Sequence, residues 1–195
     1  MQDTLTVKSV TKVIGLESVD STQNLAKDLA LSGEPEGTMV LACSQTAGRG
    51  RYERSFHSGE GGVYFTLILR PQKPAACNAS LSVRVGEAVA KTLTEMFGFK
   101  TKIKEPNDVL AWDNTARKWK KICGILIETA AGECADHWVL VGVGVNVNNR
   151  LPANLKDTAV SVKQLVGEEV LKEIFLEELL DNFWREYACW LASVR

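Results

Sequence analysis

The chain has 195 residues and 45% of them are hydrophobic, enough for one well-packed domain that needs no disulfide frame. A formal net charge of -1 excludes a bulk electrostatic pull toward nucleic acid or membrane, so any basic site must be local. His57 and His137 are the only histidines, which excludes a histidine-rich metal centre.

In chain order, the segment from Met1 to Leu16 carries Asp3, Lys8 and Lys12 among its apolar residues and so lacks the core of a signal peptide. Lys12 to Val19 reads as a strand. Asp20-Ser21-Thr22 offers an N-cap to a helix through Leu25, Ala26 and Leu29 that Gly33 closes. Thr38 to Cys43 is a short apolar strand. Ser44 to Gly62 turns polar, rich in glycine and arginine, and reads as a long loop that orders when a ligand arrives. Val63 to Leu69 is β-branched and aromatic, a strand stopped by Pro71. Ala79 to Phe97 repeats Leu81, Val85, Val89, Leu93 and Phe97 at helical spacing, with Gly98 at its end.

Lys100 to Lys104 is a further strand, ended by Pro106-Asn107-Asp108, and Asp113 to Lys118 is a bend. Ile122 to Ile127 and Trp138 to Val147 read as neighbouring strands joined by a turn around Gly132. Val170 to Leu191 is an amphipathic helix carrying Leu171, Ile174, Phe175, Leu179, Phe183, Tyr187 and Trp190. Strands arriving partly as neighbours, with helices between, predict an α+β domain with a mixed β-sheet flanked by helices. No stretch approaches the ~20 apolar residues of a membrane span. Cys43, Cys77, Cys123, Cys134 and Cys189 are odd in number and at no metal-ligand spacing, which suits free thiols in a reducing compartment. The expected location is the cytoplasm or, after removal of a targeting sequence, an organelle.

Four motifs carry chemistry. In Gln45-Thr46-Ala47-Gly48-Arg49-Gly50-Arg51, followed by Arg54, glycine backbone can approach a ligand closely and the arginines offer fixed cationic forks for phosphate or carboxylate. The plain alternative is a solvated basic loop; a Walker loop is excluded because its Gly-Lys-Ser/Thr ending is absent. Lys104-Glu105-Pro106-Asn107-Asp108 puts an amide and a carboxylate at a turn, where a ribose or metal could be held, although such a segment alone is more often only a turn. Lys121 stands where the run to Glu128 becomes apolar, and Gly124 bares the strand face beside it; a lysine that merely snorkels is the alternative. Val141-Gly142-Val143-Gly144-Val145-Asn146 lacks the strand-to-helix setting of a dinucleotide fingerprint and reads as a buried, closely packed strand ending on Asn146.

Their joint order raises them above these alternatives. Asp20-Ser21-Thr22, Gln45 to Arg51, Gly62 to Leu69, Pro106-Asn107-Asp108, Lys121 to Glu128 and Gly142 to Asn146 together resemble the biotin protein ligase family over nearly the whole chain. The resemblance implies the biotin/lipoate ligase catalytic fold, similar to class II aminoacyl-tRNA synthetases, as one domain over residues 1–195. Neither an N-terminal DNA-binding domain nor a small C-terminal β domain is evident. It implies activation of biotin by ATP to biotinyl-AMP, then transfer to a lysine of the biotin carboxyl carrier domain of a biotin-dependent carboxylase. Magnesium would accompany ATP. DNA and membrane are not expected partners, and a homodimer is left open.

Carried over residue by residue, the resemblance gives Ser21, Thr22, Gln23, Gln45, Arg49, Gly50, Arg51, Lys121 and Gly124 to biotin. It gives Arg51, Arg54, Phe56, Lys104, Asn107, Asp108 and Asn146 to ATP, with Asp108 at the metal. Lys121 and Arg51 would be the catalytic cations, because negative charge accumulates as a carboxylate attacks the α-phosphate. The chain departs from the family in having Glu105 and Phe56 where tryptophan is usual, and Gln23-Asn24 where asparagine follows Ser-Thr. A lipoate or octanoate ligase and a non-catalytic biotin-binding protein of the same fold are the alternatives. The arginine–glycine motif and the polar Ser21-Thr22-Gln23 cluster favour a ureido head over a dithiolane.

Overall fold

A computed structural model describes residues 10–71, 78–129 and 137–193. The turn expected around Gly132, Cys77 and Cys134 lie outside these residues. In chain order the elements are β1 (Lys12–Val19), α1 (Thr22–Leu31), β2 (Thr38–Gln45), β3 (Val63–Leu69), α2 (Asn78–Phe97), β4 (Thr101–Lys104), β5 (Asp108–Asp113), β6 (Lys118–Thr129), β7 (Val139–Val145), α3 (Val162–Val166) and α4 (Lys172–Ser193). Short 3-10 turns cover Arg51–Glu53 and Ala153–Leu155.

The strands form one seven-stranded mixed sheet in the order β1-β2-β3-β7-β6-β5-β4. Among the described strands β1 and β2 run parallel, joined through α1, and the other neighbouring strands pair antiparallel. The expected α+β mixed sheet is therefore the fold. β6 and β7 are neighbours as the sequence implies, with Gly124 opposite Gly144.

Strand alternation sends successive side chains to opposite faces. Val139, Val141, Val143 and Val145 of β7, with Val63, Phe65, Leu67 and Leu69 of β3, join the main core beneath α2 and α4. The intervening Leu140 and Ile68 pack with Ala26 and Ala30 of α1 on the other face. Helix α4 buries Phe175, Leu179, Phe183, Tyr187 and Trp190, and each large apolar side chain removed from water contributes about 1.5–3 kcal/mol. Trp190 also donates its indole N–H to Ser80 Oγ of α2 at 3.0 Å. The apolar stripe is narrower than the sequence suggests: Leu171 precedes α4 and is 67% exposed, and Ile174 is 48% exposed.

Asp108, expected to end the Pro106-Asn107-Asp108 turn, instead starts strand β5, which pairs with β4 on one side and β6 on the other. Turn chemistry at Pro106-Asn107 masked a short alternating strand whose Val109 and Ala111 are fully buried. The peptide Glu105–Pro106 is cis. Ser82 of α2 donates to Pro106 O at 2.7 Å, tying this turn to the helix layer. α3 was also not anticipated; it is short, and Ser161 caps it in a reciprocal capping box with Gln164. No helix among the described residues is long and apolar enough to cross a membrane.

Candidate active site

A cleft opens on the α1 side of the sheet. It is lined by Ser21, Thr22 and Gln23 from the start of α1, Gln45 from β2, and Arg49 to Tyr52 with Arg54 to Phe56 from the β2–β3 loop. Thr66 of β3, Lys104 to Asp108, Lys121, Gly124 and Leu126 of β6, and Gly142 to Gly144 of β7 complete it. The sequence-identified residues for biotin thus lie in one cleft, as do Arg54, Phe56, Lys104, Asn107 and Asp108. Asn146 does not line it. It lines a second cavity that shares Ser55, Phe56, Lys104, Asp108 and Lys121 with the first, and the two meet at those residues.

The inner end is polar and nearly closed. Ser21 caps α1 by accepting from Gln23 N at 3.3 Å, so its hydroxyl serves the helix as well as the cleft. Gln45 Oε1 accepts from Thr22 N at 2.8 Å and lies 3.1 Å from Thr22 Oγ1, while its Nε2 donates to Ser58 Oγ at 2.7 Å. Thr66 Oγ1 stands 2.9 Å from Thr22 Oγ1 and 3.1 Å from Gln23 Oε1. Gln23 is 3% exposed, yet its Nε2 has no hydrogen-bond partner. A buried donor left unsatisfied costs about 1–3 kcal/mol. The inner end therefore has hydrogen-bonding capacity that its own side chains do not use up.

The floor is glycine backbone on which other side chains rest directly. A Cβ on Gly142 would run into Gln23 Oε1, and a Cβ on Gly144 would stand 2.6 Å from Phe56 Cε1. On Gly124 it would lie 3.0 Å from Phe56 Cε2 and 3.1 Å from Lys121 Nζ. These glycines are needed for close approach.

The outer end is charged. Lys121 Nζ lies 2.7 Å from Asp108 Oδ1 and 5.4 Å from the centre of the Phe56 ring. This places Lys121 inside the cleft, beside the register shift between β5 and β6. Arg49 is forked onto Glu128, at 2.8 and 3.2 Å, and also donates to Asn24 Oδ1 at 3.0 Å. Asn24 in turn donates to Asp20, and that bond, with the Ser21 amide, holds the Asp20 carboxyl below its ordinary value. Arg51 donates to the Tyr52 hydroxyl at 3.1 Å and lies over its ring. Arg54 is exposed at the mouth. Asn107 spends its side-chain N–H on Ile125 O at 3.1 Å, so it braces the turn against β6.

The loop over the cleft already has paired backbone: Gln45 with Ser58, Gly48 with Phe56 and Gly50 with Arg54. Its tip carries Tyr52, at φ 55 and 80% exposed. Two participants were not found in the sequence. Thr66 is hidden in a run of apolar strand residues, and Glu128, 79 positions from Arg49, has no local signal.

A cleft with a hydrogen-bonding inner end, a glycine floor and a cationic mouth suits a carboxylic acid activated by a nucleotide. The chain belongs to the biotin/lipoate A/B protein ligase family, whose model matches residues 15–146. It is 41% identical to the bifunctional ligase/repressor BirA of Bacillus subtilis over 87% of this chain, and it spans only 51% of that relative's length. It is 34% identical to a biotin–[acetyl-CoA-carboxylase] ligase of Paracoccus denitrificans, covering 92% of this chain and 72% of that one. Among solved structures, the biotin protein ligase of Aquifex aeolicus in complex with biotin and ATP is 32% identical, with a TM-score of 0.75 over 90% of this chain and 70% of that one.

Proposed function

We propose that this chain is a biotin protein ligase, joining biotin and ATP into biotinyl-AMP and then acylating a lysine of a biotin carboxyl carrier domain. The observation that carries this is one cleft that joins the buried polar side chains of Ser21, Thr22, Gln23 and Gln45 to the Lys121–Asp108 pair. A ureido ring offers both N–H donors and a carbonyl acceptor to such groups, whereas a dithiolane offers only weak sulfur acceptors. The relatives from Paracoccus and Aquifex, named as biotin ligases, support the same choice.

With the head anchored on Gln23, Thr22 and Gln45, the acid's chain runs toward Lys121 past the Phe56 ring, which covers Gly144 and Gly124. The carboxylate is ionised at neutral pH and needs no base. Its oxygen attacks the α-phosphorus, the bond to the β-phosphate oxygen breaks, and pyrophosphate leaves. Lys121 and Arg51 face the charge that accumulates on the phosphoryl oxygens, a contribution of roughly 10²–10³-fold for each well-placed donor. Arg54, Phe56, Lys104 and Asn107 hold the nucleotide, with Asn146 in the adjoining cavity. In the second step a neutral acceptor lysine attacks the acyl carbon and AMP departs.

Among the described residues no group of three or more His, Cys, Asp or Glu could cage a metal ion. The donor set fits magnesium borne on the triphosphate and touched by Asp108, the usual mode for this ion; there it would neutralise phosphate charge. Release of pyrophosphate on adding biotin and ATP tests the proposal. Release with lipoate and not biotin would move the assignment to the lipoate branch, and tight biotin binding without release would make the chain a binding protein.

A further inference from the structure

Asn146 directly follows β7 and lines the second cavity, the one that meets the cleft at Ser55, Phe56, Lys104, Asp108 and Lys121. Its backbone is pinned on both sides: its N–H donates to Ile122 O and its carbonyl accepts from Val162 N, each at 2.9 Å. Its side chain is held at one point. Asn149 Nδ2 donates to Asn146 Oδ1 at 3.0 Å, and among the described residues that is the only hydrogen bond of the Asn146 side chain. If both amides turned over together, donor and acceptor would exchange and the bond would persist. The link restrains Asn146 whichever way it runs.

Asn149 costs the fold more than an apolar residue would. It is 2% exposed, lines neither cavity, and leaves its buried Oδ1 without a partner. The neighbouring Asn148 spends both ends of its amide on the backbone, donating to Val170 O at 2.8 Å and accepting from Val170 N at 3.0 Å, and so fastens the approach to α4. The one side-chain bond of Asn149 goes instead to a residue that faces a cavity.

We infer that Asn149 is a positioning residue for the nucleotide: it holds the Asn146 amide in place at the wall of the second cavity and touches no substrate itself. This rests on the reading above, which gives Asn146 to ATP, and adds the residue that orients it.

The test is pyrophosphate release by the full chain with biotin and ATP. Asn149→Leu replaces the amide by an apolar side chain of the same branching, and Asn149→Ala removes it with no risk of overpacking. In both, the ATP KM rises roughly three- to tenfold, the scale of losing up to one net hydrogen bond. The kcat holds, as for an interaction made equally before and at the transition state, and biotin affinity by titration calorimetry is unchanged. In an Asn146→Ala background, Asn149→Leu leaves the ATP KM where it stood, since no amide is left to orient. An unchanged ATP KM in the single variants overturns the inference. So does an equal loss of biotin affinity, the mark of a merely structural residue, and so does a full further loss in the Asn146→Ala background. If the unaltered chain releases no pyrophosphate, the functional reading falls and takes the inference with it, an outcome seen before any substitution.

Discussion

The ring of Phe56 occupies the space above Gly144, with Cε1 2.6 Å from where a Cβ on that glycine would stand. Phe56 therefore sits on the floor between the two cavities, within reach of Lys121. Gly144→Ala would push the ring off that floor and leave the strand itself intact, since Gly144 has no positive φ to lose. Adenylate formation is expected to fall roughly 10- to 100-fold, the scale of a small misplacement of reacting groups. Parallel measurement of pyrophosphate release and of the thermal midpoint checks this; a lost fold rather than a lost rate would contradict it.

Lys121→Ala should lower adenylate formation by roughly 10²-fold or more. The ammonium is only partly buried, with 31% of its side chain exposed, so its removal should change thermal stability little. Single-turnover formation of biotinyl-AMP reads the effect directly, and near-normal turnover in the variant would remove Lys121 from the mechanism.

The β2–β3 loop offers trypsin three sites, after Arg49, Arg51 and Arg54. Arg49 is engaged with Glu128, whereas Arg51 and Arg54 flank the exposed Tyr52 at the tip. Cleavage should begin at the tip in the free protein and be blocked by biotin with ATP, as closure over a ligand requires. Equal rates with and without ligands would show that the loop does not close. Arg51→Gly should let the adenylate escape before transfer, seen as free biotinyl-AMP in the medium.

Glu105 stands where the family usually carries tryptophan. It is exposed at the rim of the cleft beside Lys104, so water and that lysine screen its charge from a bound triphosphate. Glu105→Trp is expected to shift the ATP KM by no more than several-fold and to leave biotin affinity alone. Collapse of activity would instead make Glu105 a working ligand.

Burial pushes the Cys123 thiol up to about 12 from an ordinary value of 9.0. Because the thiolate is the nucleophile, Cys123 should resist iodoacetamide in the folded protein at pH 8 to 9. The exposed Cys43 and Cys189 should react. Peptide mapping after timed alkylation would show it, and rapid labelling of Cys123 would mean that β6 opens readily.

The strands and long helices were legible because each combines a clear period with a clear stop: the apolar Val63 to Leu69 run ends before Pro71, and the helix from Asn78 ends before Gly98 at φ 67. The cleft-lining residues were legible from motif order, which carries information that no single segment holds. What stayed hidden depends on distant partners. Asp108 to Asp113 is a strand because β4 and β6 flank it, and nothing local outweighed the turn chemistry just before it. Arg49 was expected to face a ligand, yet its guanidinium is clasped by Glu128 from a strand far along the chain. Leu171 and Ile174 matched a helical stripe, but Leu171 lies before the helix starts and both are exposed to solvent.

Strand β7 keeps its valines on the helix side and its glycines on the cleft side. Along this strand, therefore, the side chains that stabilise the domain and the surface that floors the cleft are separate. The side chains that cover those glycines, Gln23 and Phe56, come instead from a helix start and a loop, both resting on the same blank surface. Those two positions can change while the valine side of the strand stays untouched. The glycines themselves have no such freedom, because every neighbour that gives the cleft its character already fills the space their side chains would take.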